Sequence, residues 1–377
     1  MALLSNCTNS TLNNSLSTNC TSSNEESFTP FDFAEPEAMR WIRIVAYGLV
    51  FLFGVLGNLM VVLAFRQPKM RTVPNLFISN LAMADGVVSL VNVPLVALHA
   101  HLSYWPYGEF LCKLLPFLQG VSLAASVGTM MAISIDRYMV IVRYDRPKLT
   151  LVKAKIWIAV IWIISCIIPS PIIGYSNIMT VPVKGVMRPK CVETWPNPAA
   201  VKAFSMMVFL LLYCIPLIIT CTFYGLIARA FKNLPTAQKV SHKAQRRIVR
   251  MFLIVVFLFA LCWLPYHVLF LYMDYVLRQY TSTIVSLVLF VQWLIFANSA
   301  CNPIVYAVFN TNYRRQFMNM ARFSFQRDYS ISRTIHGPRS AEAHQLALAN
   351  VKAIVGRQTS CPEACNIESI DVRRPTI

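Results

Sequence analysis

An ionisable side chain inside an apolar run is the first place to look for chemistry, and Asp85 closes the stretch Asn80-Leu81-Ala82-Met83-Ala84-Asp85. Other apolar runs hold Ser126 and the group Asn298, Ser299 and Asn302. Together these residues offer one carboxylate and several neutral oxygens, a donor set for a small hard cation. Two readings stand open here: a buried sodium ion, or a hydrogen-bonded network that packs helices, with Asp85 charged or protonated. An ionised group such as Asp85 costs about 2.5 to 3.5 kcal/mol on membrane-insertion scales, so polar groups within the spans mark function by default. Pro265, in Cys262-Trp263-Leu264-Pro265, and Pro303, in Asn302-Pro303-Ile304-Val305-Tyr306, each remove a helix hydrogen bond beside aromatic or polar groups. That suits helices that bend between two states. The 11 cysteines include no CxxC pair and no Cys/His cluster of zinc spacing, which argues against a structural metal centre.

Membrane helices are the elements that must position these residues. Of 377 residues, 56% are hydrophobic and 13% charged, a balance that excludes an ordinary soluble enzyme. Runs long enough to span a bilayer lie at 42–65, 75–98, 110–135, 155–175, 203–229, 248–272 and 283–309. The expected fold is an all-α membrane protein, a seven-transmembrane helix bundle. Lys and Arg total 34 against 16 Asp and Glu, and the excess gathers in three connections. Arg66, Lys69 and Arg71 follow run one, and Arg143, Arg146, Lys148, Lys153 and Lys155 follow run three. Arg229, Lys232, Lys239, Lys243, Arg246, Arg247 and Arg250 follow run five. Basic short loops face the cytoplasm, so the charge is a topology signal and no nucleic-acid partner is expected. The N-terminus is then extracellular and the C-terminus cytoplasmic.

Residues 1–40 form the expected extracellular tail, disordered and glycosylated, because Asn6, Asn9, Asn13 and Asn19 each begin an Asn-x-Ser/Thr sequon. Cys112, at the outer start of run three, and Cys191, in the outer loop before run five, share the oxidising compartment. A disulfide between them would pin that loop over the bundle. After run seven, 312–323 reads as an amphipathic eighth helix on the inner membrane face, with Tyr313, Arg314, Arg315 and Phe317. The membrane domain with its eighth helix is thus expected over 41–323, and 324–377 is a polar cytoplasmic tail, expected to be disordered.

The motifs Gly57-Asn58, Leu81-Ala82-x-Ala84-Asp85, Asp136-Arg137-Tyr138, Trp162, Cys262-Trp263-Leu264-Pro265 and Asn302-Pro303-x-x-Tyr306 occur in order, one in each matching span. They resemble the rhodopsin-like G-protein-coupled receptors. The resemblance implies an inner activation switch of Asp136, Arg137, Tyr138, Tyr224, Asn302, Pro303 and Tyr306, with Trp263 and Pro265 coupling ligand to movement of helix six. It favours the sodium reading of Asp85, Ser126, Asn298, Ser299 and Asn302, an allosteric ion and no other cofactor. It further implies a plasma-membrane receptor that does no covalent chemistry, with an extracellular ligand, a heterotrimeric G protein, arrestin, receptor kinases and membrane lipid as partners.

Phe296 stands where visual pigments carry the retinal lysine, and Gln119 where monoamine receptors carry an aspartate. Trp105-Pro106-Tyr107-Gly108, Gln119 to Ser126, Cys191-Val192-Glu193-Thr194-Trp195-Pro196 and Asn298-Ser299 resemble receptors for amidated neuropeptides, of the neuropeptide FF, gonadotropin-inhibitory hormone and SIFamide kind. By that resemblance Asp274 receives a peptide arginine and Glu193 adds a second acid. Gln119 and Gln292 exchange hydrogen bonds with a C-terminal amide, and Tyr266, His267 and Phe270 contribute an aromatic wall. Two departures stand out. Tyr144 replaces a common loop proline, and neutral Gln245 sits where some relatives carry a glutamate that locks the helix-three arginine. The competing expectations are a rhodopsin-like receptor for another ligand, a constitutively active orphan, and, from another class, a transporter or channel using Asp85 as a conduction site.

Overall fold

The computed structural model describes residues 36–183, 186–233, 243–277 and 281–322. Seven helices in it are long and apolar enough to cross a membrane. They are α1 (Glu37–Phe65), α2 (Val73–Leu102), α3 (Gly108–Ile141), α4 (Leu151–Tyr175), α5 (Pro198–Asn233), α6 (Lys243–Tyr275) and α7 (Ser282–Phe309). Most outrun the apolar stretches that announced them, because polar residues at a helix end extend past hydrocarbon without penalty. The sequon asparagines Asn6, Asn9, Asn13 and Asn19, together with 324–377, lie outside the described residues.

Two spans depart from a plain helix, each at proline. Run four ends at 175 as expected, but within α4 the continuous helix stops at Ile167 and a separate turn of helix, Pro171–Tyr175, completes the span. Pro169 and Pro171 have no N–H to continue the ladder. In α5 a π-helical segment, Leu210–Cys214, lies just before Ile215-Pro216. The extra residue in that turn relieves the clash a proline ring makes with the carbonyl four residues back.

Small residues let the helices approach. A Cβ added at Gly57 in α1 would sit 2.8 Å from Pro303 Cβ in α7, whereas one added at Gly48 would meet nothing within 4 Å. Gly57→Ala is therefore expected to destabilise the bundle by about 1 to 3 kcal/mol through overpacking against a rigid ring. Gly48→Ala, on the same helix, should leave the purified receptor's melting temperature no lower. Equal shifts for the two variants would defeat this account of the α1–α7 contact.

Over the outer end lies an antiparallel hairpin, β1 (Ser176–Val183) and β2 (Val186–Glu193), paired from Ser176 with Glu193 to Val183 with Val186. Sequence reasoning treated this segment as loop. Cys112 and Cys191 form a disulfide that ties β2 to the start of α3. Trp105 N donates to Pro189 O at 2.8 Å, and the buried Trp105 packs with Cys112 and Leu115 beneath the hairpin. Gly108, at φ +75°, makes the sharp entry into α3 that a side chain would disfavour.

The described residues fall into two units that divide after Arg314. A helix begins at 311, with Asn310 Oδ1 accepting from Asn312 N at 3.0 Å and Tyr313 N at 3.4 Å. In the second unit residues 315–322 are helical. An eighth helix thus stands where the sequence placed one.

Candidate functional site

Asp85 is buried, 2% exposed, on the inward face of α2. Ser299 Oγ donates to its Oδ1 at 2.9 Å and Asn302 Nδ2 to its Oδ2 at 2.7 Å. Both donors come from α7, where spacing of three residues puts them on one face. Ser126 Oγ and Asn298 Oδ1 are buried without a hydrogen-bond partner. They line, with Asp85, Gln119, Trp263 and Ser299, a cavity of about 10 Å³, room for one water-sized particle. All five residues of the expected cation site are therefore brought together. The oxygens fit a hard cation: one carboxylate, two partnerless neutral oxygens and a small void. No cluster of three or more His, Cys, Asp or Glu exists among the described residues, so a transition metal has no ligand set there.

A frame of polar bonds surrounds this centre. Asn58 Nδ2 donates to Gly54 O at 2.8 Å and to Ser299 O at 3.0 Å, joining α1 to α7. Trp162 Nε1 donates to Asn80 Oδ1 at 2.9 Å, and Asn80 Nδ2 to Thr129 Oγ1 at 2.8 Å, so α4, α2 and α3 share one chain of bonds. Each satisfies a buried polar group that lipid would leave stranded.

Toward the inner end, Arg137 is held by its neighbour Asp136, with Nε 2.9 Å from Oδ2 and a second contact from Nη2. Tyr224 and Tyr306 are buried, and neither hydroxyl has a hydrogen-bond partner. Tyr224 lies among Leu81, Met130, Ile133, Phe252, Val255 and Val256, an apolar layer drawn from α2, α3 and α6. Tyr138 sits elsewhere, its ring 5.2 Å from Phe223. Gln245 is half-buried near the inner end of α6.

At the centre, Trp263 and Pro265 stand in α6 above the Asp85 cavity. Trp263 is 6.0 Å from Phe259, 5.7 Å from Tyr266 and 5.9 Å from His267, by ring centroids. His267 is 3% exposed and enclosed also by Phe209 and Tyr213, with Nε2 unpartnered. It belongs to the packed aromatic floor rather than to an open wall. Tyr213, from the π-helical segment, donates to Ala260 O at 3.0 Å and so joins the irregular stretch of α5 to the proline turn of α6. Tyr266 and Phe270 stack at 4.3 Å. Gln119 lines the cavity, and Gln292 is half-buried on α7.

The outer acids occupy the mouth. Ser205 Oγ of α5 donates to Asp274 Oδ2 of α6 at 2.5 Å. Trp195 Nε1 donates to Glu193 Oε2 at 2.8 Å. Glu193 retains exposed surface, yet burial among its neighbours pushes its carboxyl above the ordinary range; the Trp195 bond opposes that and the charge of Asp274 adds to it. Sequence reasoning missed Ser205 and Trp195 as partners. Trp195 lay two residues from Glu193, but nothing in the spacing showed that its indole would turn back.

A bundle of seven membrane-spanning helices, a polar centre under a central tryptophan, an inner Asp136–Arg137 pair and a disulfide-tied lid define a membrane receptor of the seven-helix class. The sequence profile of the 7 transmembrane receptor (rhodopsin family) matches residues 57–306, and the chain belongs to that family. It is 33% identical over 307 residues to a tachykinin-like peptides receptor (99D) of Drosophila melanogaster, covering 78% of this chain and 59% of that protein. It is 32% identical over 296 residues to a QRFP-like peptide receptor of Branchiostoma floridae, covering 75% and 78%. It is 34% identical over 296 residues to neuropeptide FF receptor 1 of Homo sapiens, covering 73% and 68%. The similarity to neuropeptide receptors expected from the motifs holds, and it extends to the tachykinin-like kind.

Proposed function

We propose that this chain is a plasma-membrane G-protein-coupled receptor for an amidated extracellular neuropeptide of the Arg-Phe-amide type. The observation that carries the ligand class is the pair of carboxylates at the mouth, Glu193 on the lid and Asp274 on α6, close enough to repel each other. A guanidinium placed between them would relieve that repulsion. Beneath, Gln119 offers an amide for a neutral C-terminal amide, and Tyr266, Phe270 and Gln292 supply further wall. The names of the neuropeptide FF and QRFP-like relatives support this reading.

Binding would act through differential affinity, favouring an arrangement of Trp263, Pro265 and the Asn302-Pro303 turn in which Arg137, Tyr224 and Tyr306 meet a heterotrimeric G protein. Asp85, Ser126, Asn298, Ser299 and Asn302 would hold a sodium ion whose charge balances the buried carboxylate and whose loss accompanies rearrangement. Arrestin and receptor kinases would act at the cytoplasmic side, and membrane lipid would surround the bundle. The sequons at Asn6, Asn9, Asn13 and Asn19 would carry sugar outside the cell.

The test is G-protein activation in cells expressing the full chain, with Arg-Phe-amide peptides, their free acids and matched surface levels of Asp274→Asn. Activation should require the amide, and Asp274→Asn should lower potency at least about tenfold, since one half of a desolvated charge pair is removed. Silence across the panel would overturn the Arg-Phe-amide class. A second reading, a ligand of the tachykinin-like peptide kind, has the Drosophila relatives in its favour. Under it, the Arg-Phe-amide panel would stay silent while amidated peptides of the tachykinin-like kind activate the receptor.

A further inference from the structure

Glu193 carries its carboxylate at the mouth on a side chain with three rotatable bonds, so unaided it would lose freedom whenever a ligand fixed it. The structure already fixes it. Trp195 donates its indole N–H to Oε2 at 2.8 Å. The indole is itself clamped, its centroid 4.4 Å from Tyr175 at the outer end of the fourth span and 4.9 Å from Phe204 on α5. The intervening backbone is fastened as well: Thr194 N donates to Tyr175 O at 2.7 Å, and Asn177 Nδ2 donates to Thr194 Oγ1 at 2.6 Å. Two residues further on, Asn197 caps α5 by accepting from Ala200 N at 2.8 Å. Carboxylate, indole and backbone are thus anchored to three elements at once.

We propose that Trp195 is a positioning residue that presents Glu193 as a preset carboxylate to a guanidinium on the ligand, and so sets the receptor's preference for a cationic over a neutral ligand side chain. This rests on the assignment of Glu193 to the ligand site made above. The charged and titratable groups around Glu193 are Asp274 and Tyr266 on α6, Lys202 on α5 beside Asp274, and Arg188 and Lys190 on its own strand. Against burial and the Asp274 charge, the indole N–H is the contact that favours the ionised form. Trp195→Phe removes that donor and keeps a six-membered aromatic ring between Tyr175 and Phe204. The Glu193 carboxyl then rises further, so its charge, and the attraction for a cation, is lost at a higher pH as the solution is acidified.

The experiment measures binding of an amidated peptide ending in Arg-Phe-amide, and of its counterpart with the neutral isostere citrulline, to the purified full-length receptor at neutral and mildly acidic pH. Wild type, Trp195→Phe and Glu193→Gln are compared. Trp195→Phe should weaken the arginine peptide about tenfold, the worth of one hydrogen bond to a charged group. The citrulline peptide should be unaffected, and the loss should deepen on acidification. Equal weakening of both peptides would reduce Trp195 to a packing residue and overturn the proposal. So would an unchanged Trp195→Phe alongside a Glu193→Gln that abolishes the charge preference. If wild type does not bind the peptide, or Glu193→Gln leaves the preference for arginine intact, the ligand-site assignment itself fails and the role of Trp195 falls with it.

Discussion

Asp85→Leu should destabilise the receptor by several kcal/mol while Asp85→Asn, a change of similar volume, leaves it folded. Leucine strands two buried donors, Ser299 Oγ and Asn302 Nδ2, each of which now reaches a carboxylate oxygen. A stranded buried donor costs about 1 to 3 kcal/mol. An amide in place of the carboxylate meets a different situation. It keeps one acceptor oxygen, and its NH₂ can be received because Asn302 Oδ1 has no partner and the side-chain amide can turn over. The Ser299 hydroxyl can rotate to either role. What the amide cannot restore is charge. If sodium binds here, raising its concentration should raise the melting temperature of the wild-type receptor by mass action, and Asp85→Asn should abolish that dependence without matching the collapse of the leucine variant. Equal melting temperatures for the two variants would show that the hydrogen bonds are not what holds α2 to α7. A sodium dependence that survives Asp85→Asn would remove the ion from this cavity.

The contrast between those variants shows why the centre was readable from sequence and the mouth was not. Asp85, Asn298, Ser299 and Asn302 stand out because lipid surroundings tolerate few such residues, so each must be explained by a partner. Seven apolar runs leave little choice about which faces meet. At the outer end, the same logic loses force: water satisfies any polar group there, so a residue's type no longer implies a partner. Asp274 and Glu193 were visible only through family resemblance, and their bonds to Ser205 and Trp195 only in the folded chain. His267, expected as part of an aromatic wall, lies buried against Tyr213 of the π-helical segment of α5, in the aromatic floor. A change in helical register of that kind has no periodicity signal. The hairpin left only a compositional trace, β-branched residues on either side of Lys184-Gly185, without a period-2 alternation to mark it as strand.

Breaking the Cys112–Cys191 bond should have the largest effect on ligand response, because it releases the element that carries Glu193. The bond closes a loop of 79 residues in sequence, for which chain entropy predicts about 4 kcal/mol of stabilisation. Much of that loop is already confined by α3 and α4 in a bilayer, so the energetic loss should be smaller than the chain-entropy figure and concentrated at the lid. There the remaining ties are Trp105 N to Pro189 O, the packing of Ile178 on the Trp105 and Cys112 cluster, Arg188 over the Tyr104 ring, and, beyond Glu193, the Thr194 bond to Tyr175 and the stacking of Trp195 on Tyr175 and Phe204. None of these holds the hairpin's tip as the disulfide holds its middle. Cys112→Ala, Cys191→Ala and the double variant are expected to lose potency to the same degree, since each removes one and the same bond, and mild reductant on the wild type should reproduce them. Hydrogen exchange at β1 and β2 should rise in all four cases while the inner half of α2, around Asp85, stays protected. Single variants whose losses add in the double variant would mean that the cysteines act separately. A reduced receptor that keeps full peptide potency would show that the lid, and with it Glu193, is not needed to hold the ligand.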